Sequence, residues 1–378
     1  MGTIIGAGIY VLIGKVAAVS GVSTAYAFLL SGFIAMFSAL SYAELASRFP
    51  QSSGESAYVS KAFNRDFLAR IVGWMVVLTG IVSSATLANG FLGYLNVFID
   101  ISSTAAIISL ILALTALSAW GIKESVFLIA AITLLEVGGL IFVVLLADGN
   151  NGIPWSKIVE LPWSPTEASS ILVGSFLAFY AFIGFEDMVN VAEEVKEPRK
   201  TIPIAIIWAV VLSTLLYVIV AAVAIRHMPI ADLAKSDAPL ADIISQSGYS
   251  PVWISLISLI AVINGILVQL IMASRVLYGM GKQGLAPEIL SRVNSRTQTP
   301  IISTLIIALF ILIFALWLPL ITLAKITSFF MLSIFTLMNI SLIVVKRKDK
   351  ETLGVTTFPI WVPIIGTFLC LMLLVAQI

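Results

Sequence analysis

Charge is scarce in this chain: Asp, Glu, Lys and Arg supply only 11% of its 378 residues, while 60% are hydrophobic. Soluble domains carry about a quarter charged residues, so a sequence this poor in charge cannot hide its apolar surface inside one globule. A net charge of +1 leaves no basic surface for nucleic acid. The single Cys370 excludes an internal disulfide and leaves the redox compartment open. The lone His227 falls in a loop between apolar runs and is read as solvated, so neither His nor Cys stands at depth beside a partner. Hydrolytic chemistry needs a nucleophile and a base together, so no enzyme, metal site or cofactor is expected. Nor is there the repeated filter or charged pore ring that a channel requires.

What the chain does have is apolar runs of roughly 18 to 25 residues, the length a helix needs to cross about 30 Å of hydrocarbon at 1.5 Å per residue. They predict an all-α integral membrane protein with about eleven spans, at 1–20, 22–46, 67–99, 103–120, 124–147, 168–190, 203–225, 251–275, 300–318, 322–345 and 358–378. The opening residues offer no basic segment followed by a small-residue cleavage site, so the chain is expected to open inside a span, without a cleavable signal. Sixteen of the 21 Lys and Arg fall in one alternate set of connections and five in the other. Cytoplasmic loops hold the basic excess, which places the loop after the second span, and that after the eighth, in the cytoplasm of an inner or plasma membrane.

Two spans carry helix-breaking signals. Gly2, Gly6 and Gly8 interrupt the first, and Ala181-Phe182-Ile183-Gly184-Phe185-Glu186-Asp187 opens a break in the sixth, about half the chain further on. Glycine lets the backbone leave helical geometry and approach a ligand closely, and inside a bilayer unwound peptide groups persist only where they line a protein cavity. Small residues at this spacing also serve plain helix packing. Paired breaks in two halves point instead to a midplane binding site and an inverted repeat.

At these residues the chain resembles the amino acid-polyamine-organocation transporter superfamily, in its bacterial and cationic-amino-acid-transporter-like branch. Gly2-Thr3-Ile4-Ile5-Gly6-Ala7-Gly8-Ile9-Tyr10 is similar to the family's first-helix motif and Phe179-Tyr180-Ala181-Phe182-Ile183-Gly184-Phe185-Glu186 to its sixth-helix motif. The stretches 193–203, 235–241 and 274–287 resemble, in order, the following cytoplasmic loop, an outer loop and the loop after span eight. The resemblance implies a five-plus-five inverted-repeat fold with helices 1 and 6 discontinuous: one transmembrane domain over 1–378, a first repeat over 1–147 that lacks most of the inner half of helix 1, a second over 168–346, and an extra C-terminal helix over 358–378.

It also implies a permease that moves an amino acid by alternating access, with proton-coupled symport or exchange as the expected mode. An inactive permease lacking the inner half of helix 1, and a sodium-coupled symporter, are the alternatives. Motif position assigns the backbone N–H groups of Ala7, Gly8 and Ile9 to the substrate carboxylate, since a helix N-terminus favours an anion. Carbonyls of Thr3, Ile4, Phe179 and Ala181 are assigned to the ammonium. Phe182 is read as a lid and Ile183 as a wall of the side-chain pocket, with Ile5, Gly6 and Gly184 completing the unwound stretches.

Proton coupling is assigned to Glu136, whose neighbours Leu134, Leu135, Val137 and Leu140 favour its neutral form through desolvation. Relatives carry Lys twelve residues after a Glu-Ser pair where this chain, after Glu124-Ser125, has Glu136. Glu186 is a second titratable candidate, and Glu44 is read as a structural partner of Arg48 or a neighbouring basic group. Glu55 stands where the family's inner-gate loop usually has a second glycine or small residue. The connection near Ile99-Asp100-Ile101-Ser102 holds no cysteine, so no disulfide-linked heavy subunit is expected. A neutral solute is favoured, because no second acidic residue in the spans faces the break motif.

Overall fold

A computed structural model describes residues 2, 4–50, 54–121, 126–147, 152–161, 164–349 and 354–377, without the side chains of 126–129, 191, 193 and 194. Among these residues every regular element is helical. In chain order they are α1 (Ala7–Ser20), α2 (Thr24–Arg48), α3 (Gly54–Phe63), α4 (Asp66–Leu95), α5 (Ser103–Trp120), α6 (Val126–Leu146) and α7 (Trp155–Ile158). After these come α8 (Pro165–Ala178), α9 (Pro198–His227), α10 (Ile230–Lys235), α11 (Pro239–Gln246), α12 (Val252–Lys282), α13 (Ile301–Trp317), α14 (Leu320–Lys348) and α15 (Trp361–Val375). Seven stretches among the described residues are long and apolar enough to cross a membrane, and shorter apolar helices cover Ala130–Leu146, Ile301–Trp317 and Trp361–Val375.

Lipid is as apolar as leucine, so helices in a bilayer associate through close packing and interhelical hydrogen bonds. The two most extensive pairings here, α2 along α9 and α4 along α12, both use small residues to come near. Gly32 of α2 lies against Thr214 of α9 with no space for a Cβ, and a Cβ on Gly80 of α4 would stand 2.9 Å from that of Ala273 of α12. Likewise α1 packs on α8 and α5 on α13. Ser31 donates to the Ser175 carbonyl at 2.7 Å, fastening α2 to α8.

Ends are fixed by local chemistry. Ser164 and Glu167 form a reciprocal capping box at the start of α8, with Pro165 at its first turn, and Pro198 opens α9. Glu44, fully buried near the end of α2, receives Arg48 at 2.8 Å, Lys346 of α14 at 2.7 Å and the Phe358 amide at 2.8 Å. That carboxylate ties α2, α14 and the approach to α15 together, as the pairing with Arg48 led one to expect.

Candidate functional site

Before α1, residues 4–6 are not helical, and Gly6 precedes its first turn with φ −116° and ψ −152°. The N–H groups of the first turn therefore have no partner within α1. The Ile4 carbonyl accepts from the hydroxyl of Tyr217 of α9 at 2.5 Å. Tyr94 of α4 donates to the Tyr10 carbonyl at 2.7 Å, and Tyr10 itself donates to the Glu136 carbonyl at 2.6 Å. Buried tyrosines thus fasten both sides of the break to α4, α6 and α9.

α8 ends at Ala178, tightens into a 3-10 turn over Phe179–Phe182, and then opens: Ile183 is extended at ψ 139° and Gly184 takes φ +123°. That positive φ favours glycine over any residue with a Cβ. The Gly184 N–H donates to the carboxylate of Glu186 at 2.9 Å, so Glu186 braces the break from which it hangs.

The two breaks touch, because Gly8 has no side chain to hold them apart. Beside the contact lies a cavity of about 40 Å³, room for about three waters. Of the residues singled out in the sequence, Gly2, Ile4, Gly6, Ala7, Gly8, Ala181 and Ile183 line it. Ile5, Ile9, Phe179, Phe182 and Gly184 do not, and Thr3 lies outside the described residues. Phe182 is fully buried edge-on against Tyr217, with ring centroids 5.2 Å apart. The remaining wall includes Ser83 and Leu87 of α4, Tyr180, and Gly265 and Gln269 of α12. Sequence reasoning passed over Ser83 and Leu87, which sit in an unbroken apolar span. Tyr180 was visible in the motif, where its hydroxyl now meets Ser83 Oγ at 3.0 Å.

Glu136 is fully buried on α6. Asn264 of α12 approaches its Oε1 at 3.5 Å, and its Oε2 has no hydrogen-bond partner. Asn264 thus links Glu136 of α6 to α12. Glu124 and Ser125 lie outside the described residues. Below the second break, Gln269 donates to Asp187 at 3.2 Å, joining that segment to α12. Glu55 of α3 is buried close by and accepts from Tyr42 at 3.2 Å; burial pushes its carboxyl up to about 7.

The family model for amino acid permeases matches residues 1–378. The chain belongs to the amino acid permease family. It is a multi-pass integral membrane protein of the amino acid-polyamine-organocation superfamily, and its relatives in this family are transporters rather than enzymes. It is 31% identical to the mitochondrial cationic amino acid transporter 3 of Arabidopsis thaliana, over 92% of this chain and 60% of that protein. It is 29% identical to the branched-chain amino acid permease BcaP of Bacillus subtilis, over 93% of this chain and 79% of the other. A methylthioribose transporter of the same bacterium is 29% identical over 98% of this chain and 84% of its own. The chain therefore spans about 60% of the length of the Arabidopsis relative, and this permease shares its matched region with carriers named for chemically different solutes.

Proposed function

We propose that the protein is a secondary active transporter that moves a neutral amino acid by alternating access, coupled to protons by symport or exchange. The observation that carries this reading is the meeting of two unwound segments, before Ala7 and after Phe182, at one cavity. A zwitterion presents a carboxylate and an ammonium, and each needs a partner where water is scarce. Free N–H groups of Ala7, Gly8 and Ile9 at the positive end of α1 serve the first, and carbonyls of Ile4, Phe179 and Ala181 at helix C-terminal ends serve the second. Phe182 would close over the solute after leaving Tyr217.

Cavity chemistry supports a neutral side chain on the solute: among the described residues no Asp, Glu, Lys or Arg lines it. Glu136 supplies the coupling group, its unpartnered Oε2 being the atom that takes and releases the proton. Glu186 acts in second place, because its carboxylate is already engaged by Gly184. The packing of α1 on α8, α2 on α9, α4 on α12 and α5 on α13 supports a five-plus-five inverted repeat with α15 outside it: four spans of 1–147 lie against the matching spans of 168–346, while the fifth, α6, packs on α12 and α9. On this reading the protein works alone, without a disulfide-linked subunit, in an inner or plasma membrane.

Uptake of labelled amino acids into proteoliposomes, with proton and sodium gradients imposed separately, tests the proposal. Accumulation driven by the proton gradient, or exchange with amino acid loaded inside, is the expected outcome. Stimulation by sodium alone would overturn the coupling assignment, and no movement of any amino acid would overturn the function.

A further inference from the structure

The face of α12 that walls the central cavity continues into a second, larger hollow. Gly265, Val268 and Gln269 line the first. Met272, Arg275, Val276 and Gly279 line the second, of about 490 Å³. Steps of three and four residues keep all of these on one helical stripe, and Arg275 stands about 15 Å beyond Gly265 at 1.5 Å per residue. The opposite walls come from Ser56 of α3, Asn190 after the second break, and Gln298 and Pro300 before α13. Between the two hollows stands the Gln269–Asp187 hydrogen bond. The second hollow lies on the side that the distribution of basic residues assigns to the cytoplasm.

Its chemistry is one-sided. Arg275 makes no ion pair with a described residue, and among the described side chains no carboxylate lines the pocket. Its other polar groups include the amides of Asn190, Gln283 and Gln298, and the ring of Tyr278, which also lines it, holds the Lys282 ammonium 5.2 Å from its centroid. A guanidinium presents its donors as a planar fork that matches a carboxylate, and a cleft lined by one sign of charge concentrates ions of the other.

We propose that this hollow is a second, cytoplasmic subsite for the solute, in which Arg275 holds the carboxylate after the Gln269–Asp187 bond opens. It rests on the transport reading above. The central cavity grips the solute with neutral peptide groups, and the second hollow offers a full positive charge further along the same stripe. The solute thus passes from dipoles to a cation as it leaves, and in the reverse order as it enters. The subsite recognises the carboxylate common to amino acids, so side-chain choice stays with the central cavity.

A cysteine at Gly279 tests this without relying on transport, because a Cβ there meets open space and the native Cys370 is buried. Gly279→Cys protein in detergent is modified with an anionic and with a cationic methanethiosulfonate of similar size. Arg275 should favour the anionic reagent, and adding Arg275→Gln should lower the anionic-to-cationic rate ratio about tenfold, whereas Arg275→Lys should keep most of it. A mixture of standard amino acids should slow the anionic reaction, and the corresponding decarboxylated amines should not.

A ratio indifferent to Arg275→Gln overturns the proposal. So does protection by phosphatidylglycerol vesicles with none from amino acids, which would make the hollow a lipid headgroup site. Rate ratios and protection that behave as expected in a protein inert in proteoliposomes would retain the anion subsite and sink the transport reading instead.

Discussion

Gly8 and Ala181 meet so closely that a Cβ on Gly8 would stand 2.8 Å from the Ala181 Cα and 3.2 Å from its Cβ. The neighbour is backbone, which cannot swing aside. Gly8→Ala should therefore part the two breaks and reduce amino acid uptake in proteoliposomes at least about tenfold, with a loss of about 1–3 kcal/mol in stability from overpacking. Adding Ala181→Gly removes the 3.2 Å contact and leaves the 2.8 Å one, so uptake should recover only in part. Full activity in Gly8→Ala would mean that the breaks need not touch.

Among the described buried carboxyls, Glu136 is set apart by an Oε2 without a hydrogen-bond partner. Glu136→Gln keeps the shape and the capacity to pair with Asn264 but cannot carry a proton. Proton-driven accumulation should fall to the level seen without a gradient, while exchange of internal for external amino acid persists. Intact proton-driven accumulation would remove Glu136 from the coupling step.

Much of this arrangement is legible in the sequence. Glycines 6, 8 and 184 marked both breaks, because a residue tolerated for its missing Cβ leaves a trace in sequence wherever an apolar span contains it. Long apolar runs likewise located the helices, and Glu44, read as a partner for Arg48 or a neighbouring basic group, pairs with Arg48. The burial of Phe182 against Tyr217 was not legible, since an aromatic beside a break reads equally as a lid or as packing. Lys346, the second partner of Glu44, was hidden for a related reason: it lies 302 residues away, and only the fold brings it there. Ser83 and Leu87 reach the cavity through the pairing of α4 with α12, of which a single sequence carries no sign.

The Glu44 cluster makes a stability prediction independent of transport. Truncating one partner of a buried pair strands the other charge, at a cost of about 3–5 kcal/mol. Glu44→Ala leaves Lys346 and Arg48 without their shared carboxylate, so its melting temperature in detergent should fall well below that of Glu167→Ala, which alters only an exposed cap. Similar melting of the two variants would show that the cluster contributes little.

Glu55 predicts a pH dependence. Its carboxyl is raised from 4.5 to about 7 by burial in the folded protein, so between those values the folded state binds more protons than the unfolded state. Stability then falls as pH rises through this window. The contribution is fully present below about pH 4.5 and is lost above about pH 7. Thermal melting from pH 5 to 8 should decline in the native protein and decline less in Glu55→Gln. Identical profiles would assign the titration elsewhere.

The most direct measurement of whether peptide groups at the two breaks hold both ends of a zwitterion is competition against uptake of a transported amino acid. Its decarboxylated amine and its deaminated acid would be compared with the amino acid itself. Because each end has its own set of backbone partners, each truncated analogue should compete at least about a hundredfold more weakly, the loss of about 2.7 kcal/mol of paired polar contact. An amine or an acid that competes as well as the parent amino acid would contradict the account.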